Sequence, residues 1–245
     1  MSIPRVIHYC WFGRGQMPKL ALKCIESWKK YCPDYRIKEW NEDNFDLDLY
    51  PYVREAYDAR KFAFVTDVVR LYALYHEGGI YMDTDVEVIK PLDSLLQYQA
   101  VSGFESLTQI PTGLMASEKG HPLFAELLHE YDGLHFVKSD GTFDLTTNVI
   151  RITNTCLKYG FVPNNQFQTV NGFTFLPKDF LCPIEQDGHR LVLTPNTLCI
   201  HHFSGSWQPS SYRLKKKIAI FVGPKFAQVI INIKRWFKSK IYGNE

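Results

Sequence analysis

The sequence contains no apolar run of the about 18 to 20 residues that a membrane-spanning helix requires, so we expect no transmembrane helix. It has no Cys-x-x-Cys pair among its six cysteines, and its first residues lack the long apolar stretch of a secretory signal. These two absences favour a reducing cytoplasm, in which thiols are mostly small buried apolar groups.

Acidic residues are almost missing from the last quarter of the chain. Residues 1–187 hold 18 Lys and Arg and 25 Asp and Glu, whereas residues 188–245 hold 10 and one. We therefore predict an acidic domain over 1–210 and a basic amphipathic helical tail over 211–245. The tail mixes Lys and Arg with Ile, Phe, Val and Trp236, which suits an anionic membrane surface. A helix packed on its own domain is the alternative; the lack of a recognisable module argues against nucleic acid.

Hydrophobic residues make up 45% of the 245, enough for one large domain with a full core. The first hundred residues alternate between β and helical patterns, which predicts an α/β sheet with crossover helices. The predicted elements are a strand at 3–11, a helix at 18–31, a strand from 35, a helix at 52–76 and a strand at 80–89. After Pro91 the pattern predicts short strands, one helix near 121–134 and a turn-rich stretch over 139–200.

The stretch GGIYMDTDVEV holds two carboxylates two residues apart, Asp83 and Asp85. On a regular strand both would point to one face, where they would repel each other unless a cation lay between them. We therefore expect Mg²⁺ or Mn²⁺ at this position, shared with a phosphate group. Two solvated acids at a strand end are the alternative.

Two other carboxylate motifs fit the same stretch poorly. A calcium-binding loop would need Gly and Glu where this chain has Val88 and Ser94. An aspartyl-phosphate phosphatase would need Thr or Val in place of Glu87.

The helix before this strand is apolar almost all round, which predicts burial on most sides, yet it carries Asp67 and Arg70 three residues apart. An internal salt bridge would satisfy both residues. Because the helix ends at Gly78-Gly79 and leads directly into the carboxylate strand, we favour a functional role for the pair.

Three separated motifs together resemble one known family. The block FVTDVVRLYALYHEGGIYMDTDVEV resembles the signature of glycosyltransferase family 32, the sugar transferases with a DXD motif, and is similar to the bacterial glucosylating toxins. The start IPRVIHYCWFG and the late HHFSGSW resemble that family in the same order, so the resemblance spans residues 3–207. It implies a GT-A type fold, a Rossmann-like nucleotide-binding sheet flanked by helices that serves a retaining sugar transfer.

The resemblance also implies roles for residues of the first two motifs. Trp11 would stack on the nucleotide base and Asn41 would make a weaker nucleotide contact, with a core tryptophan and a turn former as the alternatives. By the same resemblance, Asp67 would bind sugar or ribose hydroxyls, Arg70 would bind the donor sugar or its phosphate, and Tyr81 would contact the diphosphate region. Asp83 and Asp85 would hold the nucleotide and the metal, with Asp85 the more direct ligand.

The late motif supplies the last predicted ligands. By the resemblance His202, preferred to His201, completes the metal shell, and Ser206 and Trp207 cover the leaving diphosphate. Weaker candidates to contact the donor sugar and acceptor are Glu105, Thr112 and Gly113.

The expected function is a metal-dependent retaining glycosyltransferase that moves a hexose from a nucleotide-sugar to a lipid-linked saccharide in capsular or surface polysaccharide biosynthesis. A UDP-sugar is preferred to a GDP-sugar as donor. The expected location is the cytoplasm, peripheral on the inner face of the plasma membrane. The alternatives are a protein-modifying glycosyltransferase and a non-catalytic nucleotide-sugar-binding module.

Overall fold

The computed structural model describes residues 2–106, 109–184 and 190–205. The chain divides into two units: the first comprises Met1–Pro183 and Val192–Phe203, and the second comprises Ile184–Leu191 and Ser204–Glu245. All helices and strands named below belong to the first unit. The boundary predicted near residue 210 and the predicted helical tail over 211–245 lie outside the described residues.

Seven of the strands form one mixed sheet. The strands are β1 Val6–Cys10, β2 Arg36–Trp40, β3 Gly79–Met82, β4 Val86–Val88, β5 Ala100–Gly103, β6 Leu114–Ser117, β7 Gln168–Val170, β8 Phe173–Leu176 and β9 Cys199–His201. The sheet has the order β2-β1-β3-β6-β5-β8-β7, and only β6 and β7 run against the other five strands. Strands β4 and β9 form a separate antiparallel ribbon.

Helices lie on both faces of this sheet. They are α1 Lys19–Tyr31, α2 Pro51–Asp58, α3 Phe62–Glu77, α4 Pro122–His129, α5 Asn148–Lys158 and α6 Lys178–Leu181, with 3₁₀ turns at Leu47–Leu49 and Asp93–Leu95. Helices α2 to α5 pack in one apolar cluster, and α1 packs with the β4-β9 ribbon in another. The prediction of an α/β sheet flanked by helices is confirmed.

Side chains of the central strands alternate between these two clusters. In β3, Tyr81 faces helices α2 to α5, whereas Ile80 and Met82 face α1 and the ribbon. This period of two follows from strand geometry, and both faces are buried because helices cover them. It places the ring of Tyr81 on the same side as α3, the helix that carries Asp67 and Arg70.

The predicted helix at 52–76 is two helices. It is interrupted at Arg60, whose φ of +55° is left-handed and cannot continue a right-handed helix. The amides of Arg60 and Lys61 donate to the carbonyl oxygens of Tyr57 and Ala56, which closes the end of α2. No Gly or Pro marks this break, so the pattern gave no sign of it. Helix α5 was also missed, within the stretch predicted to be turn-rich.

Two adjacent glycines fix the junction between α3 and β3. Gly78 and Gly79 have φ of +69° and +107°, and a Cβ on Gly79 would lie 2.7 Å from the carbonyl oxygen of Val6. The carbonyl oxygen of Gly78 lies 2.8 Å from Nε2 of buried His8, and Trp40 Nε1 donates to His8 Nδ1 at 3.1 Å. These contacts hold β1 beside β3, so both strands deliver their carboxyl ends to the same edge of the sheet.

Within the described residues, no helix is both long enough and apolar enough to cross a bilayer.

Candidate metal centre

The two carboxylates of the DXD motif are brought together by a tight turn rather than by a regular strand. Strand β3 ends at Met82, and the amide of Val86 donates to the carbonyl oxygen of Asp83 at 3.0 Å, across four residues. The amide of Asp83 donates to the carbonyl oxygen of Gly113 at 2.8 Å, which fixes the start of the turn. The prediction of one strand over 80–89 is therefore wrong: the chain turns at the motif and continues as β4 in the separate ribbon.

A histidine of β9 completes the cluster. In the antiparallel ribbon His201 lies opposite Val86, and its Nε2 is 3.3 Å from Oδ1 of Asp85. One ligand atom from each of Asp83, Asp85 and His201 lies within 4.8 Å of the others. A divalent cation with bonds of about 2 Å to its ligands fits that spacing. Two carboxylates suit Mg²⁺ or Mn²⁺, and an imidazole in the set favours the transition metal.

The structure brings His201, rather than the predicted ligand His202, into the cluster with Asp83 and Asp85. Nε2 of His202 lies 2.8 Å from Oε2 of Glu87, and Lys23 also pairs with Glu87, at 2.9 Å. Neighbouring residues of an extended chain point to opposite sides, so His201 and His202 cannot both face Asp85. Only the main chain of His202 reaches the motif, through its amide, which donates to the carbonyl oxygen of Asp85 at 3.0 Å.

Arg70 links helix α3 to the DXD motif. Its Nη2 lies 3.2 Å from Oδ1 of Asp67 and 3.3 Å from Oδ1 of Asp83, and it is only 5% exposed. Nη1 donates to the carbonyl oxygen of Thr112 at 2.7 Å, and the guanidinium lies 4.7 Å from the ring centre of Tyr81. The hydroxyl of Tyr81 donates to Oδ1 of Asp83 at 2.9 Å. Arg70 and Tyr81 therefore hold Asp83 in place and offset part of the charge of the paired acids.

Asp67 is engaged within the protein on both carboxylate oxygens. Oδ1 faces Arg70, and Oδ2 accepts from the amide of Asn148, the first residue of α5, at 3.1 Å. The side chain of Asn148 donates in turn to the carbonyl oxygen of Asp67 at 2.6 Å and accepts from Tyr131. The internal salt bridge, the alternative considered for this pair, is thus present. Asn148 was not predicted, because nothing in the local pattern links it to a helix 81 residues earlier.

Burial raises the pKa of Asp67 to about 6, although Arg70 beside it acts in the opposite direction. A carboxyl whose pKa is higher in the folded state contributes stability at low pH, and that stability is lost as the pH rises through about 6. We expect the unfolding free energy of the wild type, relative to Asp67→Asn, to fall between pH 4 and pH 7. Urea denaturation at several pH values measures this. If the unfolding free energy changed equally steeply with pH in Asp67→Asn and in the exposed control Asp34→Asn, the raised pKa would not belong to Asp67.

Three weaker candidates lie in the loop before β6. Thr112 and Gly113 contact the cluster through their carbonyl oxygens, which accept from Arg70 and from the amide of Asp83. Burial raises the pKa of Glu105. His201 acts against this shift and Asp83 adds to it, so the Glu105 carboxyl lies within electrostatic reach of both residues. The loop therefore borders the carboxylate turn.

The other predicted nucleotide contacts have local partners. Trp11 follows β1 at the carboxyl edge of the sheet, partly exposed, and its Nε1 donates to the carbonyl oxygen of Gly15 at 2.6 Å. Asn41 is a turn former: its side-chain oxygen accepts from the amide of Asp43 and its amide nitrogen donates to Glu39. The base-stacking role of Trp11 stays a prediction. Ser206 and Trp207 lie outside the described residues.

Comparisons with known proteins concern the same part of the chain. Residues 18–102 match the family model described as "Glycosyltransferase sugar-binding region containing DXD motif". Inositol phosphoceramide mannosyltransferase 3 of Schizosaccharomyces pombe is 32% identical over 131 residues, which cover 52% of this chain and 36% of the relative. An uncharacterized glycosyltransferase of Acanthamoeba polyphaga mimivirus is 24% identical over 222 residues, 84% of each chain.

Among solved structures, the chain titled PaToxG Glycosyltransferase aligns with a TM-score of 0.46 and 21% identity, covering 52% of this chain and 60% of its own. This chain spans between about one third and one half of the curated relatives first matched, with 36%, 39% and 54% of their lengths. The resemblance to glycosyltransferases with a DXD motif is confirmed, and Asp83-Thr84-Asp85 is the DXD motif of the region that matches.

Proposed function

We propose that this protein is a metal-dependent, retaining glycosyltransferase that transfers a hexose from a nucleotide-sugar to a saccharide acceptor. The observation that carries the proposal is the convergence of Asp83, Asp85 and His201 within 4.8 Å, at the end of a strand in the matched sugar-binding region. Nucleotides bind beyond the carboxyl ends of strands in open α/β sheets, and this turn lies at such an end.

The residues that would hold the metal are Asp83, Asp85 and His201. When bound there, a divalent cation supplies positive charge that stabilises the departing diphosphate. Arg70 and Tyr81 act on Asp83: both hydrogen-bond or pair with its Oδ1, which leaves its other oxygen for the metal. We therefore propose that Arg70 serves the donor through Asp83, since each of its three nitrogens already has a partner.

We propose retention by front-face substitution, in which the departing phosphate oxygen takes the proton of the acceptor hydroxyl. A double displacement would need a carboxylate free to attack the sugar. Asp67 is poorly suited to that role, because Arg70 and the amide of Asn148 occupy its two oxygens. This engagement supports the one-step reaction.

The donor and the acceptor are proposed from the sequence and from the names of relatives. The proposed donor is a UDP-sugar, and because relatives are named as mannosyltransferases, mannose is a sugar to be tested. The name inositol phosphoceramide mannosyltransferase denotes an acceptor carried on a lipid, which agrees with the lipid-linked saccharide expected here. We retain surface polysaccharide biosynthesis as the proposed setting.

A panel of nucleotide-sugars tests the proposed activity. UDP- and GDP-linked hexoses, mannose included, are incubated with the full chain in Mn²⁺, and nucleotide release is measured. We expect slow release from one donor that ceases when EDTA removes the metal. Binding of a donor with no release, in the presence or absence of saccharide acceptors, would instead favour a non-catalytic module.

We further propose that the basic residues 211–245 bring the protein to the inner face of the plasma membrane from the cytoplasm. The support is sequence alone: acid is absent between Asp187 and Glu245, and apolar residues interleave with Lys and Arg. We expect the full chain to sediment with vesicles containing phosphatidylserine in low salt and to be released in high salt. Equal sedimentation after deletion of 213–245 would overturn this proposal.

A further inference from the structure

His201 lacks the hydrogen bond that usually orients a metal-binding histidine. Such histidines almost always donate from the second ring nitrogen to a carboxylate, a carbonyl or water. Here Nε2 faces Asp85, while Nδ1 is buried without a hydrogen bond of normal geometry, and the thiol of Cys182, a weak donor, lies beside the imidazole. The side chain of His201 is nevertheless only 11% exposed. Since no carboxylate or carbonyl group holds Nδ1, packing contributes to the orientation of the ring.

Gly113 provides one side of that packing. A Cβ on this residue would lie 2.6 Å from Nδ1 and 2.7 Å from Cε1 of His201, closer than carbon atoms approach in folded proteins. The backbone of Gly113 does not have a positive φ, so glycine is required here by lack of space and not by conformation. The carbonyl oxygen of Gly113 also holds the amide of Asp83. One residue thus touches both the histidine and the DXD turn.

Phe203 provides a second contact. Its ring stacks on that of His201, with centroids 4.0 Å apart and planes inclined by 30°. Its φ of +49° is left-handed, a conformation that is unfavourable for a residue with a side chain. Strain of this kind persists where the surrounding structure requires it, and it is often found beside functional groups. The strained backbone directs the Phe203 ring onto His201.

We propose that Gly113 and Phe203 are positioning residues, which hold the His201 ring by packing so that Nε2 faces the site shared with Asp83 and Asp85. This inference rests on the proposed function, in which His201 is a metal ligand. In the metal-free protein, the distance between His201 Nε2 and Asp85 Oδ1 should therefore depend on Gly113 and on Phe203.

The test uses the full chain and two variants that disturb the packing in different ways. Gly113→Ala adds a methyl group against the ring, and Phe203→Gly removes the stacked ring together with the backbone strain. We expect each to weaken Mn²⁺ binding, measured by titration calorimetry, on the order of 10- to 100-fold, as for other groups that orient metal ligands. Phe203→Tyr should bind within about threefold of wild type.

Thermal unfolding without metal separates positioning from simple destabilisation. Because Phe203→Gly relieves a left-handed φ, we expect its midpoint to stay within about 2 °C of wild type or to rise, while its Mn²⁺ affinity falls. Gly15→Ala is the matched control, since a Cβ there meets nothing within 4 Å. Wild-type Mn²⁺ affinity in both Gly113→Ala and Phe203→Gly would overturn the inference.

Metal-free crystal structures of the two variants distinguish a failure of this inference from a failure of the proposed function. If the wild type binds no Mn²⁺, the proposed function fails, and the distance between Nε2 of His201 and Oδ1 of Asp85 still decides the inference. An increase beyond the present 3.3 Å in both variants supports it. An unchanged ring position in both overturns it.

Discussion

Replacing Arg70 by methionine is expected to lower the unfolding free energy by about 3–5 kcal/mol, the range found when one partner of a buried ion pair is removed. Asp67 would remain 7% exposed and without its cation, and Asp83 would lose the same partner. The carbonyl oxygen of Thr112 would also lose its donor. Urea denaturation at pH 7 measures the change.

The double variant Asp67→Asn, Arg70→Met is the control for this prediction. Because the uncompensated carboxylate is gone, it should recover part of the lost stability, and the double-mutant cycle gives the coupling between the two residues. A loss in Arg70→Met below about 1 kcal/mol, or additive effects in the cycle, would show that the pair is not coupled as described.

Asp85→Ala and His201→Ala are each expected to reduce Mn²⁺-dependent nucleotide release on the order of 100- to 1,000-fold, since both remove a proposed metal ligand. The adjacent His202→Ala should stay within about threefold of wild type, because its imidazole pairs with Glu87 on the other side of the ribbon. The measurement is the initial rate of nucleotide release at saturating donor and Mn²⁺.

The two histidines make this comparison well matched. They are neighbours in sequence and the same residue type, and they differ chiefly in the side of the chain to which they point. A larger loss in His202→Ala than in His201→Ala would contradict the register of β4 and β9, in which Val86 lies opposite His201.

The chemistry of the site was more predictable than its geometry. Two carboxylates two residues apart, after an apolar run, indicated a cation because close acids need one, and the structure places Asp83 and Asp85 together. The tight turn was not predictable, because Val86 and Val88 continue the β pattern past it while pairing with a different strand. Local alternation cannot reveal which strand a segment joins.

The residues that were missed act through contacts distant in sequence. The choice between His201 and His202 depends on a ribbon that joins residues 115 apart, such as His202 and Glu87. Asn148 contributes its main-chain amide to the site, and main-chain groups leave no mark on residue type. The left-handed φ of Phe203 has no sequence signal, since such residues are usually Gly, Asn or Asp.

A crystal soaked in Mn²⁺ and a nucleoside diphosphate, with anomalous scattering data, tests the central claim most directly. We predict one Mn²⁺ about 2 Å from carboxylate oxygens of Asp83 and Asp85 and from Nε2 of His201, in contact with the diphosphate. An ion bound instead between His202 and Glu87, or no ion beside Asp85 with the nucleotide bound, would contradict it.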